Sequence, residues 1–190
     1  MVVETEIKAE LPDYPSYLKI YSSLGMPSKH LLQENFYYDS VDRYLYLHGV
    51  MFRLRKEDNK KTFCVKFATT IENGIQKSRE EELSVSEEEF NRLNLKEILF
   101  SICKIDLPSQ IELKSLGSIL NNRAVFSDFF GASLELDHMQ IFDQHFFEIE
   151  VETNTPEYHM EKIKELLQNN QLSYKPSCSK YKRFLSLLKS

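Results

Sequence analysis

The chain has 190 residues, 42% of them hydrophobic, enough for one well-buried core, so residues 1–190 are expected to form a single domain. A formal net charge of −5 excludes a general electrostatic grip on nucleic acid or on an anionic membrane. No apolar run approaches the ~20 residues of a membrane span, the start lacks a signal peptide's layout, and Cys64, Cys103 and Cys178 have no paired spacing; a soluble, cytoplasmic protein with reduced thiols is expected.

Residues 3–10 alternate with period two, Glu4, Glu6 and Lys8 on one face and Val3, Ile7 and Ala9 on the other, which predicts a strand. Pro15 opens a helix with Tyr17, Ile20, Tyr21 and Leu24 at helical spacing, and Gly25 ends it. An aromatic-rich strand over 33–39 follows, after which Asp39-Ser40 offers caps for a turn through Tyr44. Strands over 50–55 and 62–67 flank an Asp58-Asn59-Lys60 turn, and a strand over 76–85 is reached through Asn73-Gly74, a strong hairpin signal.

Ser86 and Glu89 have the spacing of a capping box, which predicts helix over 86–95, continuing in pieces to about 116. Three strands are expected at about 119–129, 132–140 and 145–153, with Gly131 and Asp143-Gln144 at the turns. Thr155 is expected to cap, and Pro156 to begin, a helix with Met160, Ile163 and Leu166 as its stripe. A last amphipathic helix is expected over 179–189, built on Tyr181, Phe184, Leu185 and Leu188.

The strands repeat the pattern of the first: one face apolar, the other charged. Arg53 and Arg55 share a face, as do Glu80 and Glu82, Glu135 and Asp137, and Glu148, Glu150 and Glu152, while Lys66 opposes Val65 and Phe67, and Arg123 sits in an apolar strand. A solvated sheet face explains any one strand by itself. Blocks of one sign side by side, however, are unfavourable until something neutralises them. A polyphosphate with divalent metals does so: guanidinium and ammonium groups hold phosphate, and clustered carboxylates supply hard oxygens for Mg²⁺ or Mn²⁺. Eight antiparallel strands closed into a barrel bring both blocks into one cavity, with charged faces inward and apolar faces outward beneath the helices. The expected class is therefore α+β, a closed eight-stranded antiparallel barrel. The five histidines show no ligand spacing and are expected at the surface or in loops, and no Walker loop or Gly-rich nucleotide fingerprint is present.

Glu4-x-Glu6-x-Lys8, Tyr37-Tyr38-Asp39-Ser40, Arg53-x-Arg55, Thr62-x-x-x-Lys66, Arg79-Glu80-x-Glu82, Arg123, Glu135-x-Asp137, Glu148-x-Glu150-x-Glu152 and Ser179-Lys180 occur in the order of one family. The chain resembles the CYTH, or triphosphate tunnel metalloenzyme, family, above all its small single-domain bacterial members. The resemblance implies phosphate ligands at Lys8, Arg53, Arg55, Lys66, Arg123 and Lys180, with Arg183, one turn on, as an alternative last cation. It implies metal ligands at Glu4, Glu6, Glu148 and Glu150, with Glu152, Glu80, Glu82, Glu135 and Asp137 as further acidic candidates. Two features differ or blur: Ser40 stands where the family usually has threonine, and three alternating glutamates leave the metal pair open by one step. The activity implied is metal-dependent hydrolysis of triphosphates, inorganic triphosphate first and nucleoside or thiamine triphosphate next. The alternatives are an adenylate cyclase of class IV and a non-catalytic polyphosphate-binding module, of which the intact acidic set argues against the second. A small-molecule triphosphate is the expected partner; nucleic acid and membrane are not.

Overall fold

The computed structural model describes residues 2–92 and 94–188, so Lys189, the expected end of the last helix, lies outside the described residues. The strands are β1 Val2–Leu11, β2 Lys29–Asp39, β3 Met51–Glu57, β4 Lys60–Glu72, β5 Ile75–Val85, β6 Lys114–Phe129, β7 Ala132–Ile141 and β8 Gln144–Glu152. They pair in the order β1-β5-β4-β3-β2-β6-β7-β8 and close, β8 against β1, with every pair antiparallel. The β4–β5 hairpin turns on Asn73 and Gly74, at φ 50° and 83°, the left-handed pair that a two-residue primed turn needs.

The helices are α1 Tyr14–Leu24, α2 Tyr44–Leu47, α3 Glu87–Arg92, α4 Leu95–Cys103, α5 Pro156–Asn169 and α6 Lys180–Leu187. Two apolar cores lie outside the barrel. Ile7, Ala9, Leu134, Leu136, Ile149 and Val151 are buried with Ile20 of α1 and Met160, Ile163 and Leu167 of α5. On the other side Phe52, Leu54, Phe63 and Val65 are buried with Leu45 of α2 and Ile98 and Leu99 of α4. The apolar strand faces thus point out, which leaves the charged faces the interior, because side chains alternate strictly along a strand.

α6 departs from the expected outer cover. It packs on Tyr37, Ile119, Met139 and Ile141, residues of the inner faces, and so seals one end of the barrel with Tyr181, Phe184 and Leu185. Gly117, at φ 127°, makes room: a Cβ there would meet the Phe184 ring at 3.2 Å. The approach to α6 is fixed along β1, where Glu10 N donates to Lys175 O at 2.8 Å and Ser177 N to Lys8 O at 3.2 Å.

The capping box forms as expected, Ser86 N donating to Glu89 Oε2 at 2.7 Å and Glu89 N to Ser86 Oγ at 3.2 Å. Helix does not continue to 116, however: α4 ends at Cys103, stopped by the left-handed φ of 59° at Lys104, and β6 begins at Lys114. Thr155 takes the cap position of α5 without accepting a backbone hydrogen bond through its side chain; its hydroxyl lies 3.2 Å from His159 Nδ1 instead. His159 is accordingly buried rather than on the surface, and His138 and His145 meet at 3.0 Å on the outer wall beside Tyr14 and Tyr17. Among the described residues no helix is long and apolar enough to cross a membrane.

Candidate active site

The inner strand faces enclose a cavity of about 670 Å³. On β1, Glu4, Glu6 and Lys8 border it. Lys66 of β4 reaches across, with Nζ 2.6 Å from Glu4, 3.0 Å from Glu80 and 3.5 Å from Glu6, and Lys8 lies 3.3 Å from Glu6 and 3.4 Å from Glu150. Gln76 donates a hydrogen bond to Glu6. Even so, burial pushes the Glu4 carboxyl up to about 7 against the pull of Lys66, and burial also raises Glu6 against Lys8. These two carboxylates are short of positive charge.

On β3, Glu80 holds the Arg53 guanidinium above its ordinary range against burial, whereas Arg55 has no carboxylate within ion-pair distance among the described residues. The Arg53 guanidinium is buried, meets Glu80 at 3.5 Å, and leaves Nε without a hydrogen-bond partner among the described residues. Arg55 donates to Asn35 at 3.3 Å, and its pKa is lowered, first by the charge of Arg53 and then by burial and Arg123. Cys64, opposite Arg53 on β4, donates to Glu80 at 2.9 Å, and burial pushes its thiol up to about 12, so it is a neutral donor.

The third part of the wall is fully paired. Arg123 holds Asp137 bidentately at 2.8 and 2.7 Å, also meets Glu135, and reaches Glu150 at 3.2 Å. Burial opposes ionisation of Asp137, but Arg123 and Lys180 outweigh it and hold the carboxyl well below its ordinary range; burial outweighs Arg123 at Glu135 and pushes that carboxyl up to about 7. Lys180, the first residue of α6, meets Glu148 at 2.5 Å, Glu150 at 2.7 Å and Asp137 at 2.9 Å.

Of the residues expected to hold phosphate, Lys8, Arg53, Arg55, Lys66, Arg123 and Lys180 border the cavity. Arg183 is turned away: its guanidinium lies over the Phe146 ring at 4.7 Å and 3.8 Å from Glu10. Of the expected acidic residues, Glu4, Glu6, Glu80, Glu82, Glu135, Glu150 and Glu152 border the cavity, Glu152 at an exposed position. Glu148 and Asp137 are fully buried and lie behind the Lys180 ammonium. Gln33 and Asn35 also line the cavity, carried there by the period-two pattern through Gln33, Asn35 and Tyr37; no sequence pattern marks Ser177, which donates to Glu148 at 2.7 Å.

The donor chemistry fits a divalent metal. Glu4, Glu6 and Glu150 offer hard carboxylate oxygens on one side of the cavity, and Asp137, Glu148 and Glu150 bring one oxygen each within 4.8 Å of one another. Cations and carboxylates line the cavity in near balance, so a polyanion entering it needs a cation to enter with it.

The family model for the CYTH domain matches residues 3–185. No curated protein matches the chain. Among solved structures the chain is similar to a putative adenylyl cyclase from Hippeastrum, described as revealing a dominant triphosphatase activity, with a TM-score of 0.81 and 24% identity over 96% of this chain and 95% of that one. It is similar also to a putative adenylate cyclase from Bacillus halodurans, with a TM-score of 0.75 and 23% identity over 97% and 99% of the two chains. A conserved hypothetical protein from Pyrococcus furiosus shares the fold at a TM-score of 0.59 and 22% identity, over 92% and 96%.

Proposed function

The chain belongs to the CYTH family, and on that premise we propose that it is a divalent-metal-dependent hydrolase of triphosphates, with inorganic tripolyphosphate as its preferred substrate. The observation that carries this reading is the strain of like charges within one cavity: Arg53 and Arg123 lower the pKa of Arg55, while burial pushes Glu4 and Glu6 toward protonation against Lys66 and Lys8. A triphosphate with Mg²⁺ or Mn²⁺ relieves both.

In this reading Lys8, Arg53, Arg55, Lys66 and Arg123 hold the phosphates, and Glu4, Glu6 and Glu150, with Glu152 at the rim, hold the metal. When bound, the divalent ion supplies charge neutralisation and polarisation at phosphate oxygens. The protein's own part is positioning and electrostatics. Arg53, with an unused Nε, and Arg55 donate to equatorial and leaving-group oxygens as charge develops there, which favours in-line attack by water on the terminal phosphorus. Lys66 and Lys8, each shared between carboxylates of the metal side, keep acidic and phosphate groups from repelling one another. With five glycines in the chain and no Gly-rich loop, side chains rather than backbone amides carry the phosphate.

A second reading, a nucleotide that is hydrolysed or cyclised to cyclic AMP and diphosphate, is favoured by Tyr46, Val50 and Met51, which give one part of the cavity an apolar lining. The deciding experiment is a panel of tripolyphosphate, ATP and thiamine triphosphate with Mg²⁺, Mn²⁺ or chelator, scoring phosphate and cyclic AMP separately. Tripolyphosphate is expected to turn over fastest and only with metal; activity that survives chelation, or none on any triphosphate, overturns the reading. Arg53→Ala is expected to lower turnover ~10²–10³-fold, as loss of a preorganised donor does, and unchanged turnover removes Arg53 from the site.

A further inference from the structure

The acidic residues near Lys180 divide into two sets that are not equivalent. Lys180 donates hydrogen bonds to Glu148 at 2.5 Å and Glu150 at 2.7 Å, and its ammonium forms an ion pair with Asp137 at 2.9 Å. These are the same three residues whose oxygens cluster closely enough to hold an ion. The acceptors are occupied. Glu148 Oε2 takes the Ser177 hydroxyl at 2.7 Å while Oε1 takes Lys180, and both oxygens of Asp137 take Arg123. Both carboxylates are fully buried, and neither borders the cavity, whereas Lys180 does. Glu4 and Glu6, by contrast, border the cavity directly.

We propose that Lys180 is a tethered cation that fills the Asp137–Glu148–Glu150 cage in place of a metal ion, latching α6 into the barrel end and confining divalent metal to the Glu4–Glu6 side. The second half of this inference rests on the metal-dependent reading above. Lys180 is then a positioning residue, its charge taken up by three carboxylates, and Glu148 is an anchor, not a metal ligand.

The test is Mn²⁺ binding, followed by the electron paramagnetic resonance of free Mn²⁺ during titration of the full chain, with no substrate present. Glu148→Gln keeps the hydrogen-bonding shape of the anchor and is expected to leave the Mn²⁺ Kd within about twofold, whereas Glu6→Gln weakens it at least ~10-fold, the scale on which changes at a metal site act. Lys180→Met removes the ammonium and is expected to bind one further equivalent of Mn²⁺, which the double variant with Glu148→Gln loses. A purely structural role for Lys180 does not create a new Mn²⁺ site. A tenfold or greater weakening in Glu148→Gln, or no added equivalent in a folded Lys180→Met, overturns the inference. If Lys180→Met folds only with Mn²⁺ present, the cage is confirmed as a cation site; if it folds under neither condition, the Glu148→Gln titration decides alone. Absence of Mn²⁺ binding by the unaltered chain overturns the metal-dependent function instead, and an equivalent gained by Lys180→Met then still supports the filled cage.

Discussion

The Glu4–Glu6 pair on β1 and the Asp137–Glu148 pair across β7 and β8 are both made of carboxylates on inner strand faces, yet they end in opposite electrostatic states. Asp137 and Glu148 are fully buried, and a guanidinium, an ammonium and a hydroxyl brought by other elements satisfy every oxygen. Glu4 and Glu6 share Lys66 and Lys8 with Glu80 and Glu150, so neither has a cation to itself. The difference lies not in the acidic residues but in what the C-terminal helix delivers: α6 places Lys180 against Asp137 and Glu148 and no cation against Glu4 and Glu6. A closed set stabilises the fold; an open set is stabilised only when a cation arrives.

The largest expected effect breaks the closed set. Arg123→Met leaves Asp137 buried with Lys180 as its remaining cation, and removal of one partner from a buried ion pair costs about 3–5 kcal/mol. Urea unfolding measures this, and a loss below about 1 kcal/mol would show that the closed set does not hold the fold. Next comes the open set, where Glu6→Gln substitutes a neutral group for a carboxyl that burial already drives toward neutrality. The metal-free melting temperature is expected to stay level or rise while metal-dependent triphosphate turnover falls at least ~10-fold; a fall in both places Glu6 with the structural set. A smaller effect separates the ion cage from the rest of the α6 docking. Tyr181→Phe removes the hydroxyl that Asp39 accepts at 3.1 Å, while Asp39 keeps its backbone donors from Ser40, Leu45 and Tyr46. About 1 kcal/mol of destabilisation is expected, the ordinary net value of one hydrogen bond.

The gentlest probe is pH. Glu4 and Glu135 titrate near 7 in the folded chain, above the ordinary carboxylate value, so between about 4.5 and 7 the folded state binds more protons than the unfolded state. Metal-free stability is therefore expected to fall as pH rises through that window. Asp137, Glu150 and Glu80 are depressed instead, and what they contribute is present above the ordinary carboxylate range and lost as pH falls below it. A melting-temperature profile with its maximum near pH 5, whose decline on the alkaline side is reduced by Mn²⁺, is the expected outcome; a profile that keeps rising to pH 8 without metal contradicts the open state of Glu4.

The alternation of Glu4, Glu6 and Lys8 against Ile7 and Ala9, repeated at Arg53 and Arg55, and at Glu148 and Glu150, determined by itself that the strands have one charged and one apolar face, and hence most of the barrel and of its lining. Period-two geometry fixes which side chains share a face. The Ser86–Glu89 box and the Asn73-Gly74 turn were legible for the same reason: their partners are a few residues away, and local sterics decide them. The end of α4 before Lys104 and the diversion of Thr155 to His159 were not, because each turns on a local conformation or contact that no residue spacing encodes. Only the tertiary structure decided which carboxylates are free. Glu148 and Glu6 look alike along the chain, but the lysine and serine that close over Glu148 lie about thirty residues away and reach it through the barrel end, whereas Glu6 faces the cavity. Charge compensation depends on distance in space, and a strand's periodicity reports only direction.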